Sequence, residues 1–147
     1  MNTNKNFHII KNLGLIIVSH DEIINQESIE TVISDLIGNP FFKRNYKVLI
    51  DVRNSEIKMT SDEIEVLSSF VFNKLKATGI KKFALLVKTS QINKAAEFVH
   101  YYRQPKRYRV FSSFDSALYW LGIPMERKSQ VKIILTYLEK NYVFQLN

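Results

Sequence analysis

The chain alternates between two kinds of apolar pattern. Continuous runs of three to five apolar residues suit strands covered on both faces, and stripes at three- and four-residue spacing suit helices with one buried side. The first pattern is clearest in Val48-Leu49-Ile50, inside Tyr46–Arg53, and in Phe83-Ala84-Leu85-Leu86-Val87. The second is clearest in Ile29, Val32, Ile33, Leu36 and Ile37, which predict a helix ending at Gly38-Asn39-Pro40. Ser19-His20-Asp21-Glu22 fits a capping pattern ahead of that stripe, but Asn25 and Gln26 interrupt the apolar face, which leaves the helix start open. Phe41 and Phe42 are expected under the sheet edge on the way to Tyr46.

At the amino end, Phe7–Lys11 and Leu13–Ser19 read as two short strands, with Asn12-Leu13-Gly14 as the turn. A hairpin there makes the sheet mixed. Thr60-Ser61-Asp62-Glu63 is a capping box opening a helix that runs to about Ala77 and stops at Gly79. Ile64, Leu67, Phe70, Val71 and Leu75 form its buried face, widened by Val66 and Phe72, so the helix should pack on more than one side. Ile92, Ala95, Ala96, Val99 and Tyr102 mark a third helix, ended at Gln104-Pro105. Arg107–Phe111 is a last strand, followed by a helix with Phe114, Ala117, Leu118 and Leu121 inward and Gly122 and Pro124 past its end. The order predicts one α/β domain over residues 1–124 with helices packed on a mixed sheet. Residues 125–147 form a C-terminal extension. Val131, Ile134, Leu135 and Leu138 have helical spacing, and Tyr142–Leu146 alternates. That much apolar surface must bury itself on the domain or on a second subunit, so a homodimer through the tail is one expectation.

Composition narrows the function classes. With 147 residues the chain is long enough for a core without disulfides or metal. No cysteine is present, which removes thiol catalysis and Cys-ligated metals and points to the cytoplasm. No apolar stretch reaches the roughly 20 residues of a membrane span. His8, His20 and His100 lack metal-ligand spacing, and neither a nucleophile elbow nor a Gly-rich phosphate loop occurs. No enzymatic activity, metal or cofactor is therefore expected.

The chemistry-bearing residues gather where strands should leave the sheet. In open α/β sheets that carboxyl edge is where ligands and partners bind. Asp51 and Arg53 lie two apart and could form a charged pair there. Thr60 and Ser61 open the next helix, where a phosphate would be electrostatically welcome, which makes them candidate phosphorylation sites beside the plainer role of Thr60 as a cap. Lys88 and Thr89 leave the neighbouring strand and could line the same cleft. The net charge is +7, and its densest cluster is Arg103, Lys106, Arg107 and Arg109, interleaved with Tyr101, Tyr102 and Tyr108. Such a mixture can track nucleic acid. Protection of an exposed edge strand is the plainer use, and nucleic acid is not the expected partner.

Val48-Leu49-Ile50-Asp51-Val52-Arg53, Phe83–Val87 and the run Val110-Phe111-Ser112-Ser113-Phe114-Asp115-Ser116-Ala117-Leu118-Tyr119-Trp120-Leu121 carry a resemblance to the SpoIIAA-like proteins of the STAS/SEC14-type superfamily. It covers roughly residues 7–123 and has no counterpart for the tail. It implies a STAS-type fold and a regulatory, protein-binding role at the edge near Asp51, with small apolar-ligand binding as the alternative. In STAS-type anti-sigma-factor antagonists the helix after the Asp-bearing strand opens on an Asp-Ser-Ser/Thr-Gly-like motif whose hydroxyl is phosphorylated. Met59-Thr60-Ser61-Asp62 keeps a hydroxyl at about that place but lacks the preceding Asp and the following Gly.

Overall fold

The structure is a computed structural model that describes residues 7–21, 23–38, 45–76, 78, 80–102 and 106–139, without the side chains of 101 and 102. Five strands form one sheet in the order β1 (Phe7–Ile10), β2 (Leu15–Ser19), β3 (Lys47–Asp51), β4 (Lys82–Leu86) and β5 (Tyr108–Phe111). β1 pairs antiparallel with β2, and the rest of the sheet is parallel. The hairpin turns through a short helical turn at Lys11–Leu13, closed by Gly14 at φ +60°, a left-handed conformation that glycine adopts without strain.

Strand order settles which face each helix covers. The parallel strands advance in one direction, and right-handed crossovers then put every connecting helix on the same face. α1 (Gln26–Gly38), α2 (Ser61–Lys76) and α3 (Ile92–Tyr102) accordingly share one core with Ile16, Val18, Val48 and Ile50. The alternate residues Leu15, Ile17, Leu49, Ala84 and Leu86 point to the other face. No crossover helix can cover that face. It is closed by α4 (Phe114–Trp120), through Ala117 and Leu118, and by α5 (Lys128–Glu139), through Val131 and Leu135. α5 reaches back across the sheet to lie on β2 and β1. Double coverage is why β2 and β3 are buried along nearly their whole length and apolar at their centres.

Three local expectations change. Ser19 lies in β2 opposite Asp51, and α1 is capped instead by Asn25, whose side chain accepts the Ser28 N–H at 2.9 Å while the Ser28 hydroxyl accepts the Asn25 N–H at 3.1 Å. Strand pairing outweighs the local capping pattern at Ser19. Val66 is 57% exposed, so only Phe72 widens the buried face of α2. Tyr108, counted among the surface aromatics, is buried against Phe72 and Phe83 in the core. Phe41, Phe42 and the alternating run Tyr142–Leu146 lie outside the described residues. Among the described residues no helix is long and apolar enough to cross a membrane.

Candidate functional site

Asp51 ends β3 and is almost fully buried, while Arg53 follows in a turn with its side chain 39% exposed. The turn folds Arg53 back onto Asp51. One carboxylate oxygen accepts the Arg53 backbone N–H at 3.1 Å and Nε–H at 2.9 Å, and the other accepts Nη2–H at 2.8 Å. This is the fork-on-fork pairing that guanidinium and carboxylate shapes favour. It leaves three of the five guanidinium N–H groups uncommitted to Asp51. Hydrogen bonding to Asp51 raises the Arg53 pKa above its ordinary value, partial burial opposes that, and the charges of Asp51 and Glu139 add to it. The guanidinium carbon lies 5.6 Å from the Phe114 ring centre, within cation–π range. Arg53 thus forms one wall of a shallow polar groove with Ser113, Phe114, Lys132, Thr136 and Glu139, on the face covered by α4 and α5.

Thr60 and Ser61 lie across the sheet from that groove. Thr60 and Glu63 form the reciprocal capping box: the Thr60 N–H donates to the Glu63 carboxylate at 2.8 Å, and the Glu63 N–H donates to the Thr60 hydroxyl at 3.2 Å. The Ser61 hydroxyl donates to the Glu97 carboxylate of α3 at 2.8 Å. A phosphate on Ser61 would meet the Glu97 charge, and one on Thr60 would displace a cap, so both modifications work against local electrostatics or structure. Lys88 and Thr89 are exposed just beyond β4. Their loop is stitched to the neighbouring one by Gln91, whose side-chain oxygen accepts the Ile57 N–H at 2.9 Å. The structure therefore joins Asp51 to Arg53 and keeps Thr60 and Ser61 on the α3 side.

His20 belongs to the same edge although its spacing argued against a metal or catalytic role. Its backbone N–H donates to the Asp51 carbonyl at 3.0 Å, and its own carbonyl accepts the buried Ser55 hydroxyl at 2.6 Å. The ring is buried, and Nε2 has no hydrogen-bond partner among the described residues. Its place directly after the Ser19 strand end was the only available signal.

At the opposite end of the sheet, Lys106, Arg107 and Arg109 are exposed, and Arg103 lies outside the described residues. Arg109 is joined there by cations from other strands. Lys47 and Lys82 are register partners at the start of β3 and β4. The Lys82 ammonium donates to the Trp120 carbonyl at 2.6 Å and lies 4.9 Å from the Trp120 ring centre. The Arg109 guanidinium lies 5.8 Å from the same ring. Burial, followed by the charges of Lys82 and Lys81, lowers the Lys47 pKa from its usual 10.5. Below the folded value the ammonium is charged in both states and carries its full penalty. Between that value and 10.5 the folded protein releases the proton first, so wild-type stability rises with pH. Lys47→Met is expected to stabilise at neutral pH, with the gain shrinking as the pH nears 10.5. Paired thermal melts at neutral and alkaline pH test this, and a pH-independent difference would contradict it.

Comparison with known proteins finds no matching family model and no curated relative.

Proposed function

We propose that the chain is a non-enzymatic regulatory module of the SpoIIAA-like, STAS type that recognises a partner protein at the carboxyl edge of its sheet. The observation that carries this reading is Arg53, clamped in place by Asp51 with part of its guanidinium open to a shallow groove. A guanidinium held on both sides loses less freedom when it binds, so its remaining donors suit a carboxylate or backbone carbonyl of a partner. The hairpin, the parallel strands after it and the strand–helix run ending in Trp120-Leu121 support the STAS assignment.

The test is capture of a partner from native lysate with wild-type protein and with Arg53→Glu, each checked for an unchanged fold. Charge reversal is expected to abolish capture. A partner retained by both proteins would contradict a role for this edge.

One observation bears on the apolar-ligand alternative. A cavity of about 50 Å³ lies between the sheet and α1, α2 and α3, lined by side chains including Ile33, Val71, Phe98 and Val99. Ligand pockets commonly occupy about 300–1,000 Å³, so this void is far short of room for a lipid chain. Its size favours the regulatory reading. Val71→Ile should fill part of the space and stabilise the protein by about 0.5–1 kcal/mol. Urea unfolding tests this, and a loss of stability would mean that the space does not accept the added methylene.

A further inference from the structure

The amino-terminal corner of the sheet gathers charge that the chain disperses. β strands that begin side by side bring Lys47 next to Lys82 on the α4 face, and Arg109 projects from β5 onto the same Trp120 ring that Lys82 approaches. α4 ends at this corner, where the Trp120 carbonyl accepts from Lys82. Gly122, just past it, has φ +74°, and a side chain built there would come within 3.7 Å of the Lys47 ammonium, which places that cation in the same corner. Among the described residues none of Lys47, Lys81, Lys82, Arg107 and Arg109 forms an ion pair. Beside them is an open depression of about 730 Å³, walled by Lys82, Arg109, Phe111, Tyr119 and Trp120. Asp115 also lines it, but its carboxylate is engaged by Lys128 at 2.7 Å. Tyr119 is 85% exposed, the most open large apolar side chain among the described residues.

We propose that this corner binds single-stranded nucleic acid, with phosphates following Lys82 and Arg109 and a base stacking on Tyr119. Cations beside an open aromatic ring in a concave surface are the combination that single strands use, because every base offers a stacking face and every nucleotide a negative charge. A lipid surface fits less well. Trp120 is folded back beneath two cations rather than projecting, and Asp115 and Ser116 line the same hollow. The hollow borders the Arg53 groove at Asp115, but Lys82 and Tyr119 do not line that groove, and the proposal does not depend on the partner proposed there.

Fluorescence anisotropy with labelled oligothymidylate tests the inference on the full chain. Saturable binding at low salt is expected, weakening steeply as salt is raised. Arg109→Glu combined with Lys82→Glu should lower the affinity at least about tenfold. Because Lys82 also contacts the Trp120 carbonyl, Tyr119→Ala supplies the second arm: its exposed ring can go without loss of melting temperature, and affinity should fall about tenfold. Inorganic polyphosphate should compete less well per phosphate than oligothymidylate. Absence of saturable binding, indifference to Tyr119→Ala, or equal competition by polyphosphate would each overturn the proposal. Capture by phosphatidylcholine–phosphatidylserine vesicles in preference to the oligonucleotide would overturn it in favour of a membrane surface.

Discussion

Truncation after Pro124 is expected to abolish cooperative folding. Val131 and Leu135 are buried in the second core, and Ile134 and Leu138 pack against it. Returning two fully buried aliphatic side chains to water costs about 3–6 kcal/mol, before the surface uncovered on Leu15 and Ile17 is added. That is comparable with the whole stability of a typical domain, about 5–15 kcal/mol. Circular dichroism of a 1–124 chain should show no sharp melt, and the protein should associate through the bared face. Val131→Asp in the full chain should also destabilise strongly, by placing an unpaired carboxylate in that core. A truncated chain that melts like the parent would mean that α5 adds nothing to the core.

Asp51→Ala is the second large effect. The substitution removes the acceptor of all three Arg53 bonds and releases the turn after β3. Breaking a fully buried pair costs about 3–5 kcal/mol, but Arg53 is 39% exposed and regains water, so about 2 kcal/mol is expected. Asp51→Asn can still accept the backbone N–H and should lose less. Urea unfolding with an unchanged slope checks both values. Loss of partner binding in Asp51→Ala would mix a broken turn with a broken contact. Arg53→Glu is therefore the better probe of the edge.

Much of the architecture was legible in the sequence because double burial leaves a strong imprint. Val48–Ile50 and Phe83–Val87 had to be covered strands, and Thr60 with Glu63 announced a helix start that the backbone realises with both reciprocal bonds. The same kind of local signal misled at Ser19, where pairing with β3 prevailed. Tyr108 looked like part of a surface cluster because Arg107 and Arg109 flank it, yet a strand sends neighbours to opposite faces and this one turns inward. Burial raises the Tyr108 phenol pKa above its usual 10, with Arg107 opposing the shift.

The candidate site was harder to read than the fold. Asp51 and Arg53 could be paired from their spacing. That Thr60 and Ser61 lie on the far face from them follows from the direction of the crossovers, which no local motif states. The convergence of Lys47, Lys82 and Arg109 arises from strand register, and single residues in three separate segments carry no trace of it.

Sheet order also dictates a sequence of assembly. Every strand pairs with the one made just before it, so during synthesis the layer of α1, α2 and α3 can form as the chain emerges. The opposite layer has to wait. Leu15 and Ile17, among the earliest core residues produced, stay open to water until α5 has been translated and swings back over them. A ribosome paused before Lys128 would therefore hold a sticky nascent intermediate, the form on which a chaperone would act.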